Sequence, residues 1–357
     1  MKLKEIWRLV REGGPGVCQI ALTNACNAFC RFCSFPQVPS GERVMADPGR
    51  LKSGLEALRQ GNVHYVSFTG GEPLLYPALG EALAQARELG FHTMVCTNGA
   101  LLTPRRIKEL AEVGLETLII SVDAAGSQEH DDNRGLPGLS QHIRDMVPPA
   151  REAGLHLVAS VTLSRLVKDL RPLARFVWEL GFRQLTFSYP LTTLNSSYLG
   201  YAPRELVGYS PGELDELFEE IKALKAGSPV AILNPRLALT DLQRQLRGHS
   251  PRFPCLAGYK YFFVDWHLTV FRCHFLEHTL GVLEDFPHLP RVRDNCHACT
   301  IDCYRDPSVF QYLPVSVADG LAHWGKGQWL KGLSVWLHPY NFLSLAALLE
   351  GRHWLPH

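Results

Sequence analysis

Short apolar runs alternate with amphipathic stretches through the first half of the chain. From residue 17 to 190 one unit repeats: a helical stretch ends at a glycine, and an apolar run follows. Runs of this length, rich in Val, Ile, Leu, Phe and Thr, are typical of strands buried on both faces of a parallel sheet. The pattern predicts six strands, at residues 18–22, 65–69, 93–97, 118–122, 157–163 and 185–189.

Helix start signals support this count. Asp47-Pro48 and Thr103-Pro104 each combine an N-cap side chain with proline at the first helical position, and Ser210 stands three residues before Glu213, the spacing of a capping box. Six βα units are too few for an eight-stranded barrel. The pattern therefore predicts an α/β fold, a partial (β/α)6 TIM-like barrel that is open on one side.

The repeat is lost after residue 227. Residues 251–310 concentrate Cys, Pro, His and aromatic residues, which is typical of a small domain organised by metal, whereas residues 315–357 look helical again. We predict four segments: an N-terminal helix in residues 1–16, the barrel in 17–226, an auxiliary cysteine-rich domain in 227–312 and a helical tail in 313–357.

Composition and charge indicate where the protein resides and which partners to expect. Thirty-six basic residues face thirty-five acidic ones, which gives no electrostatic reason to expect nucleic acid. The longest apolar stretch, residues 342–349, is far shorter than a membrane span, and charges interrupt the N-terminus too often for a signal peptide. We therefore predict a cytoplasmic protein, in which clustered cysteines indicate metal sites rather than disulfides.

Cys26, Cys30 and Cys33 form the first cysteine cluster, with C-x3-C-x2-C spacing. Three thiolates on one loop can bind three irons of a [4Fe–4S] cubane and leave the fourth iron open for a chelating molecule. Zinc bound with a distant histidine is the alternative. The loop follows the first predicted strand, and ligands gather at that edge of parallel α/β folds, which favours the cluster.

This segment resembles the radical S-adenosylmethionine (SAM) superfamily. The cysteine signature stands after the first strand with Phe32 before its last cysteine, and the turn Gly70-Gly71-Glu72-Pro73 follows the second strand. The resemblance implies that this turn lies against the methionine part of SAM, where glycines permit close approach and the Glu72 carboxylate can accept from an ammonium group.

Two further strand ends resemble the family. Asn98 follows the third strand, and Ser121 and Asp123 close the fourth, where similar enzymes present polar groups to SAM. A simple turn or helix cap explains these residues equally well. His130 and Arg134 resemble the next loop of many members.

The resemblance also implies the chemistry. A reduced cluster passes an electron to SAM, which splits into methionine and a 5′-deoxyadenosyl radical, and the radical abstracts a hydrogen atom from the substrate. Such an enzyme needs an electron donor such as flavodoxin or ferredoxin.

A second cluster contains five cysteines in the C-terminal half. One cubane needs four thiolates, so the count favours one auxiliary [4Fe–4S] cluster over two, and a tetrathiolate zinc site is the alternative. The region resembles, in part, the SPASM and shorter twitch extensions of radical SAM enzymes, and the sequence leaves open which cysteine is spare. The five candidate ligands are Cys255, Cys273, Cys296, Cys299 and Cys303.

Neither the fold nor a motif identifies the substrate. No peptide-docking domain is evident before the barrel, so we expect a small-molecule or lipid-like substrate, with a peptide as the alternative and a non-catalytic Fe–S or zinc protein as a third hypothesis. Tryptophans and basic residues in the tail suit peripheral contact with a membrane, although helices packed over the barrel are the commoner explanation.

Overall fold

The computed structural model describes residues 3–189 and 204–351. Within them one sheet contains ten strands: β1 (Gly16–Ala21), β2 (Val63–Thr69), β3 (His92–Thr97), β4 (Thr117–Ser121), β5 (His156–Thr162), β6 (Gln184–Ser188), β7 (Ala231–Ile232), β8 (Tyr261–Val264), β9 (Thr269–Phe271) and β10 (Thr279–Val282). Their order is β10-β9-β8-β1-β2-β3-β4-β5-β6-β7. Strands β1 to β7 and β8 pair in parallel, whereas β9 and β10 are antiparallel.

Helices cover the outer face of this sheet and one edge. They are α1 (Leu3–Arg11), α2 (Pro48–Gln60), α3 (Leu79–Glu88), α4 (Pro104–Val113), α5 (Ser127–Arg134), α6 (Leu139–Glu152), α7 (Leu170–Glu179), α8 (Arg204–Val207), α9 (Pro211–Leu224), α10 (Arg236–Leu246), α11 (Asp302–Gly325), α12 (Trp329–Trp336) and α13 (Pro339–Glu350). Across the described residues, none of these helices is long and apolar enough to cross a membrane.

The predicted α/β fold with an open partial barrel is confirmed. The six predicted strands correspond to β1–β6, with helices between them. The predicted caps also form, because Asp47 accepts from the backbone N–H of Arg50, Thr103 accepts from that of Arg106, and Ser210 forms a capping box.

The sheet does not stop where the βα repeat stops. Strand β8 pairs in parallel with β1, and its Phe262 and Val264 side chains belong to the same apolar core as Ile20. The predicted boundary at residues 312 and 313 falls inside α11, which runs without interruption for 24 residues. The division into four segments therefore stays a prediction, although strands from residues 261–282 extend the barrel sheet.

The two faces of the sheet differ. Outward side chains such as Ile20, Phe68 and Ile120 are fully buried under the helices. The concave face is partly accessible and largely polar, so the expectation that both faces are buried apolar surfaces is wrong for this face. Strand register places eight such residues there: Gln19, Thr69, Cys96, Ser121, Ser160, Thr162, Thr186 and Ser188. We call the space that they border the lumen.

Candidate active site at the carboxyl ends of the strands

The loop that carries the first cysteines is held by the Gly70–Gly71 turn. The backbone N–H of Gly71 donates to the Thr23 carbonyl (2.8 Å), and that of Glu72 donates to the Ala25 carbonyl (2.8 Å). A Cβ on Gly71 would lie 2.1 Å from the Ala25 carbonyl oxygen. The absence of a side chain at Gly71 therefore lets this turn fix the backbone directly before Cys26.

Glu72 is buried and ties three chain segments together. Its Oε1 accepts from the Leu74 N–H (3.0 Å) and the Thr97 hydroxyl (2.7 Å), and its Oε2 accepts from the Asn98 N–H (2.8 Å). Burial raises the pKa of this carboxyl, and the hydrogen bonds oppose the rise. Both carboxylate oxygens accept hydrogen bonds from within the chain, which gives Glu72 a structural role. Its contact with SAM stays a prediction. Pro73 begins the single buried turn 73–75 that follows.

Asn98 connects β3 to the cysteine loop. Its Nδ2 donates to the Asn27 Oδ1 (2.8 Å), and its Oδ1 accepts from the Ala100 N–H (2.9 Å). Ser121, at the end of β4, borders the lumen and is half-buried. Both predicted residues therefore lie at the same edge of the sheet as Cys26.

Asp123 anchors a buried network beside the same loop. The Arg134 guanidinium donates to both of its oxygens (2.5 and 2.7 Å), and the Asn133 Nδ2 donates to Oδ2 (2.7 Å). The Asp123 N–H donates to the His130 Nδ1 (3.1 Å), and burial lowers the pKa of His130 to about 4. His130 is therefore neutral near pH 7, and Arg134 alone neutralises the carboxylate.

Helix α5 then reaches the cysteine loop itself. The Phe29 N–H donates to the Arg134 carbonyl (2.7 Å), and the Arg31 N–H donates to the Asn133 Oδ1 (3.3 Å). The Arg134 guanidinium also interacts electrostatically with the Cys30 and Cys26 thiols. A positive charge beside these thiols favours their deprotonated, metal-binding form.

The three predicted thiols lie together in a setting suited to a cluster. Burial raises the pKa of Cys30 to about 12 and that of Cys33 to about 11, so a metal that binds these thiols would have to displace their protons. The Ala28 N–H donates to the Cys26 sulfur (3.4 Å), as in many thiolate–iron sites.

Over the described ranges, no three Cys, His, Asp or Glu side chains converge closely enough to hold a single ion. A cubane binds each thiolate to a different iron and so needs a wider spacing than one zinc. Three thiols suffice for a cubane with one open iron, whereas a structural zinc site needs four protein ligands.

Four of the five C-terminal cysteines form a second thiol group. The Cys255 N–H donates to the Cys296 carbonyl (2.9 Å). The Cys255 thiol interacts electrostatically with those of Cys296 and Cys273, and the Cys299 thiol interacts with those of Cys255 and Cys273. The Leu276 N–H donates to the Cys273 sulfur (3.5 Å). We call Cys255, Cys273, Cys296 and Cys299 the auxiliary thiols.

Cys303 faces a different environment. Its thiol lies against Asp302 (3.6 Å to Oδ2), Gln19 of β1 and Cys96 of β3, and burial raises its pKa. Asp302 in turn accepts from the Tyr189 N–H (3.1 Å) and the Ser188 hydroxyl (3.3 Å) at the end of β6. The first turn of α11 therefore lies across the open side of the barrel, with Cys303 and Asp302 at the lumen.

These lumen residues were not predicted as a site. Cys96, for example, lies 3.5 Å from the Ser67 hydroxyl on the concave face. The signal was present as Ser and Thr at alternate positions of β5 and β6, which a search for continuous apolar runs overlooks. Asp302 gave no local signal, because its position depends on where α11 packs.

Comparison with known proteins agrees with this site. Residues 20–177 match the radical SAM superfamily model. The AdoMet-dependent heme synthase of Methanosarcina barkeri is 24% identical over 297 residues, 78% of this chain and 82% of that protein. The PqqA peptide cyclase of Xanthomonas axonopodis pv. citri is 25% identical over 271 residues, 74% of this chain and 70% of that protein.

Solved structures share the fold. AdoMet-bound anSMEcpe superposes with a TM-score of 0.53 at 20% identity and covers 76% of this chain and 79% of its own. Streptococcus suis SuiB, bound to its precursor peptide SuiA, gives 0.56 at 16% identity and covers 79% and 67%. The cysteine loop, the turn that supports it and the family match agree: residues 20–177 form a radical SAM domain.

Proposed function

We propose that this enzyme modifies a peptide substrate by hydrogen-atom abstraction, with a SAM-binding [4Fe–4S] cluster on Cys26, Cys30 and Cys33 and an auxiliary [4Fe–4S] cluster on the auxiliary thiols. The observation that carries the proposal is the position of the lumen. Its polar wall begins at the strand ends beside the first thiols, and it ends at the first turn of α11, three residues after Cys299.

The chain's own residues prepare this site. Arg134 supplies positive charge beside Cys26 and Cys30, which offsets the negative charge of thiolates bound to iron. Glu72 and Asn98 hold the cysteine loop in register with β2 and β3. When bound, the cluster and SAM supply the reducing electron and the 5′-deoxyadenosyl radical. The hydroxyl-lined lumen then offers hydrogen bonds to a polar substrate next to that radical.

A peptide substrate agrees better than a lipid with the substrates named for the similar proteins. The Xanthomonas relative is named for a peptide, PqqA, and the structurally similar SuiB was solved with a precursor peptide. The hydroxyl and carboxyl groups at the lumen also suit peptide amides more than an isoprenoid chain. We therefore propose a peptide in place of the small-molecule or lipid-like substrate expected from the sequence.

A tetrapyrrole-type small molecule is the second candidate. It rests on the AdoMet-dependent heme synthase of Methanosarcina barkeri, whose match covers slightly more of the chain than that of the peptide cyclase. An electron donor of the flavodoxin or ferredoxin class is part of either proposal.

The two substrate classes can be separated without knowing the substrate. Anaerobically reconstituted enzyme, reduced with dithionite, is given SAM and the low-molecular-mass fraction of a lysate of the source cells, and 5′-deoxyadenosine release is measured. We expect the fraction to accelerate release and prior digestion with proteinase K to abolish the acceleration. Acceleration that survives digestion would replace the peptide with the small molecule. Absence of 5′-deoxyadenosine and of SAM binding would contradict the enzyme assignment itself.

A further inference from the structure

Helices α12 and α13 present an unusually apolar outer surface. Eight large apolar side chains, on these helices and at the C-cap of α12, are at least one third exposed, including Leu330 (83%) and Leu349 (66%). We call this set the tail patch: Trp329, Leu330, Leu333, Leu337, Phe342, Leu345, Leu348 and Leu349. Soluble proteins rarely leave so many neighbouring apolar groups in water without a binding partner.

Helix α13 has an apolar exposed face and a mixed buried face. Its buried residues are Asn341, Ser344 and Ala347, whereas Phe342, Leu345 and Leu349 point to the outside. The Ser344 hydroxyl donates to the Val309 carbonyl of α11 (2.6 Å), and the Asn341 Nδ2 donates to the Val335 carbonyl (2.8 Å). A helix that buries polar side chains while it exposes large apolar ones is suited to an apolar environment outside.

The inner face of α12 packs closely against α11. The Trp336 ring packs against Gly320 of α11, where a Cβ would collide with it, and its indole N–H donates to the Val317 carbonyl (3.2 Å). Gly332 likewise packs against the Trp324 ring. The tail patch is therefore not a misplaced core surface of these helices.

The charged residues near the tail patch indicate which kind of surface it binds. Residues 320–349 contain no aspartate or glutamate, whereas Lys326 and Lys331 lie exposed beside the patch. Trp329 is exposed at the start of α12, and tryptophan and lysine are the residues that favour the boundary between lipid headgroups and acyl chains. We propose that the tail patch docks this enzyme on the surface of an anionic lipid bilayer.

The α12 part of the proposed contact lies away from the lumen. Cys303 and Asp302 reach the lumen from the first turn of α11, whereas α12 contacts α11 at Val317 and Gly320. At about 1.5 Å per residue, Cys303 and Val317 are roughly 20 Å apart along the helix. We therefore expect docking to set the location of the enzyme, independently of the proposed peptide chemistry.

Vesicle co-sedimentation of the full chain tests the docking. We compare vesicles of phosphatidylcholine alone with vesicles that also contain phosphatidylglycerol, and expect binding to the anionic vesicles. The variant Leu330→Gln/Leu337→Gln/Phe342→Gln/Leu349→Gln should lose at least tenfold in affinity. The matched control, Trp178→Gln/Val282→Gln, removes exposed apolar groups elsewhere and should bind like the unmodified chain.

Charge and self-association complete the test. Lys326→Gln/Lys331→Gln should weaken binding to anionic vesicles by about 30-fold, since each lysine at such a surface contributes about 1 kcal/mol. Circular dichroism confirms that each variant is folded. If the unmodified chain sediments with neither kind of vesicle, the proposal is wrong. A lipid-free dimer that the quadruple variant converts to monomer, without vesicle binding by the unmodified chain, would assign the patch to a second copy instead.

Discussion

The Arg134 guanidinium donates two hydrogen bonds to the buried Asp123 carboxylate, while the Arg134 carbonyl accepts from the Phe29 N–H in the cysteine loop. One residue thus links the end of β4, helix α5 and the segment between Cys26 and Cys30. The pair is almost fully removed from water, with relative side-chain exposures of 10% and 0%. Breaking it affects both the fold and the position of the first thiols.

We therefore expect Asp123→Asn to destabilise the protein strongly. The substitution leaves the Arg134 charge buried without its countercharge, which typically costs about 3–5 kcal/mol. Anaerobic urea unfolding measures this loss, and iron per chain should also fall, because α5 no longer holds the loop. Glu109→Gln, which breaks the exposed pair with Arg105, is the control and should leave the urea midpoint unchanged. Equal midpoints for the two variants would contradict the proposed role of Asp123.

The cysteine loop and its supporting turn could be predicted from the sequence because both depend on local features. Cys26 stands four residues after one apolar run, and Gly70 and Gly71 directly follow the next one. The pairing of β8 with β1 could not be predicted in this way, since residues 261–264 lie more than 200 positions beyond β1 and only tertiary packing brings them together. The polar lumen was missed for a related reason, because the side chains on the concave face alternate with the core residues that gave the strand signal.

The Gly71 contact predicts a selective loss of the first cluster. In Gly71→Ala the new Cβ would meet the Ala25 backbone at 2.1 Å, and a backbone group cannot swing away as a side-chain end can. The loop before Cys26 must therefore move. We expect roughly eight irons per chain to fall to roughly four, from two cubanes to one.

Gly80 provides the matched control for this variant. A Cβ at Gly80, in α3, would meet nothing within 4 Å, and alanine favours a helix over glycine by about 0.5–1 kcal/mol. Gly80→Ala should therefore keep the full iron content and unfold at slightly higher urea. Retention of all the iron in Gly71→Ala would show that the cysteine loop does not depend on this contact.

Cys299 and Cys303 are equally good candidate ligands by sequence, but the structure places their thiols in different surroundings. Because the Cys303 thiol lies against Gln19, Cys96 and Asp302 at the lumen, we expect Cys303→Ser to keep roughly eight irons. Cys299→Ser should lose roughly four, since its thiol belongs to the auxiliary group. Iron and sulfide analysis of both variants decides the assignment. Loss of iron in Cys303→Ser, with retention in Cys299→Ser, would reverse it.

The last prediction concerns Asp306, one turn after Asp302 in α11. Its Oδ2 accepts from the Tyr189 hydroxyl (3.2 Å) and the Asn234 Nδ2 (2.9 Å), and burial raises its pKa to about 8. The folded state therefore holds a proton that the unfolded state releases near pH 4. Since the folded state binds more protons between about pH 4 and pH 8, this group's contribution to stability falls as the pH rises through that window and is constant above it.

Asp306→Asn should remove this pH dependence. The amide oxygen can still accept from Tyr189 and Asn234, and the side chain stays neutral in both states. We expect the excess of the variant's free energy of unfolding over that of the unmodified protein to be larger near pH 8.5 than near pH 5 by at least ~1 kcal/mol. Anaerobic urea unfolding at both pH values measures the difference, with Glu109→Gln as the control for general charge effects. A constant difference across this range would mean that Asp306 is ionised in the folded protein throughout, and that Lys225, the cation that lowers its pKa, outweighs burial.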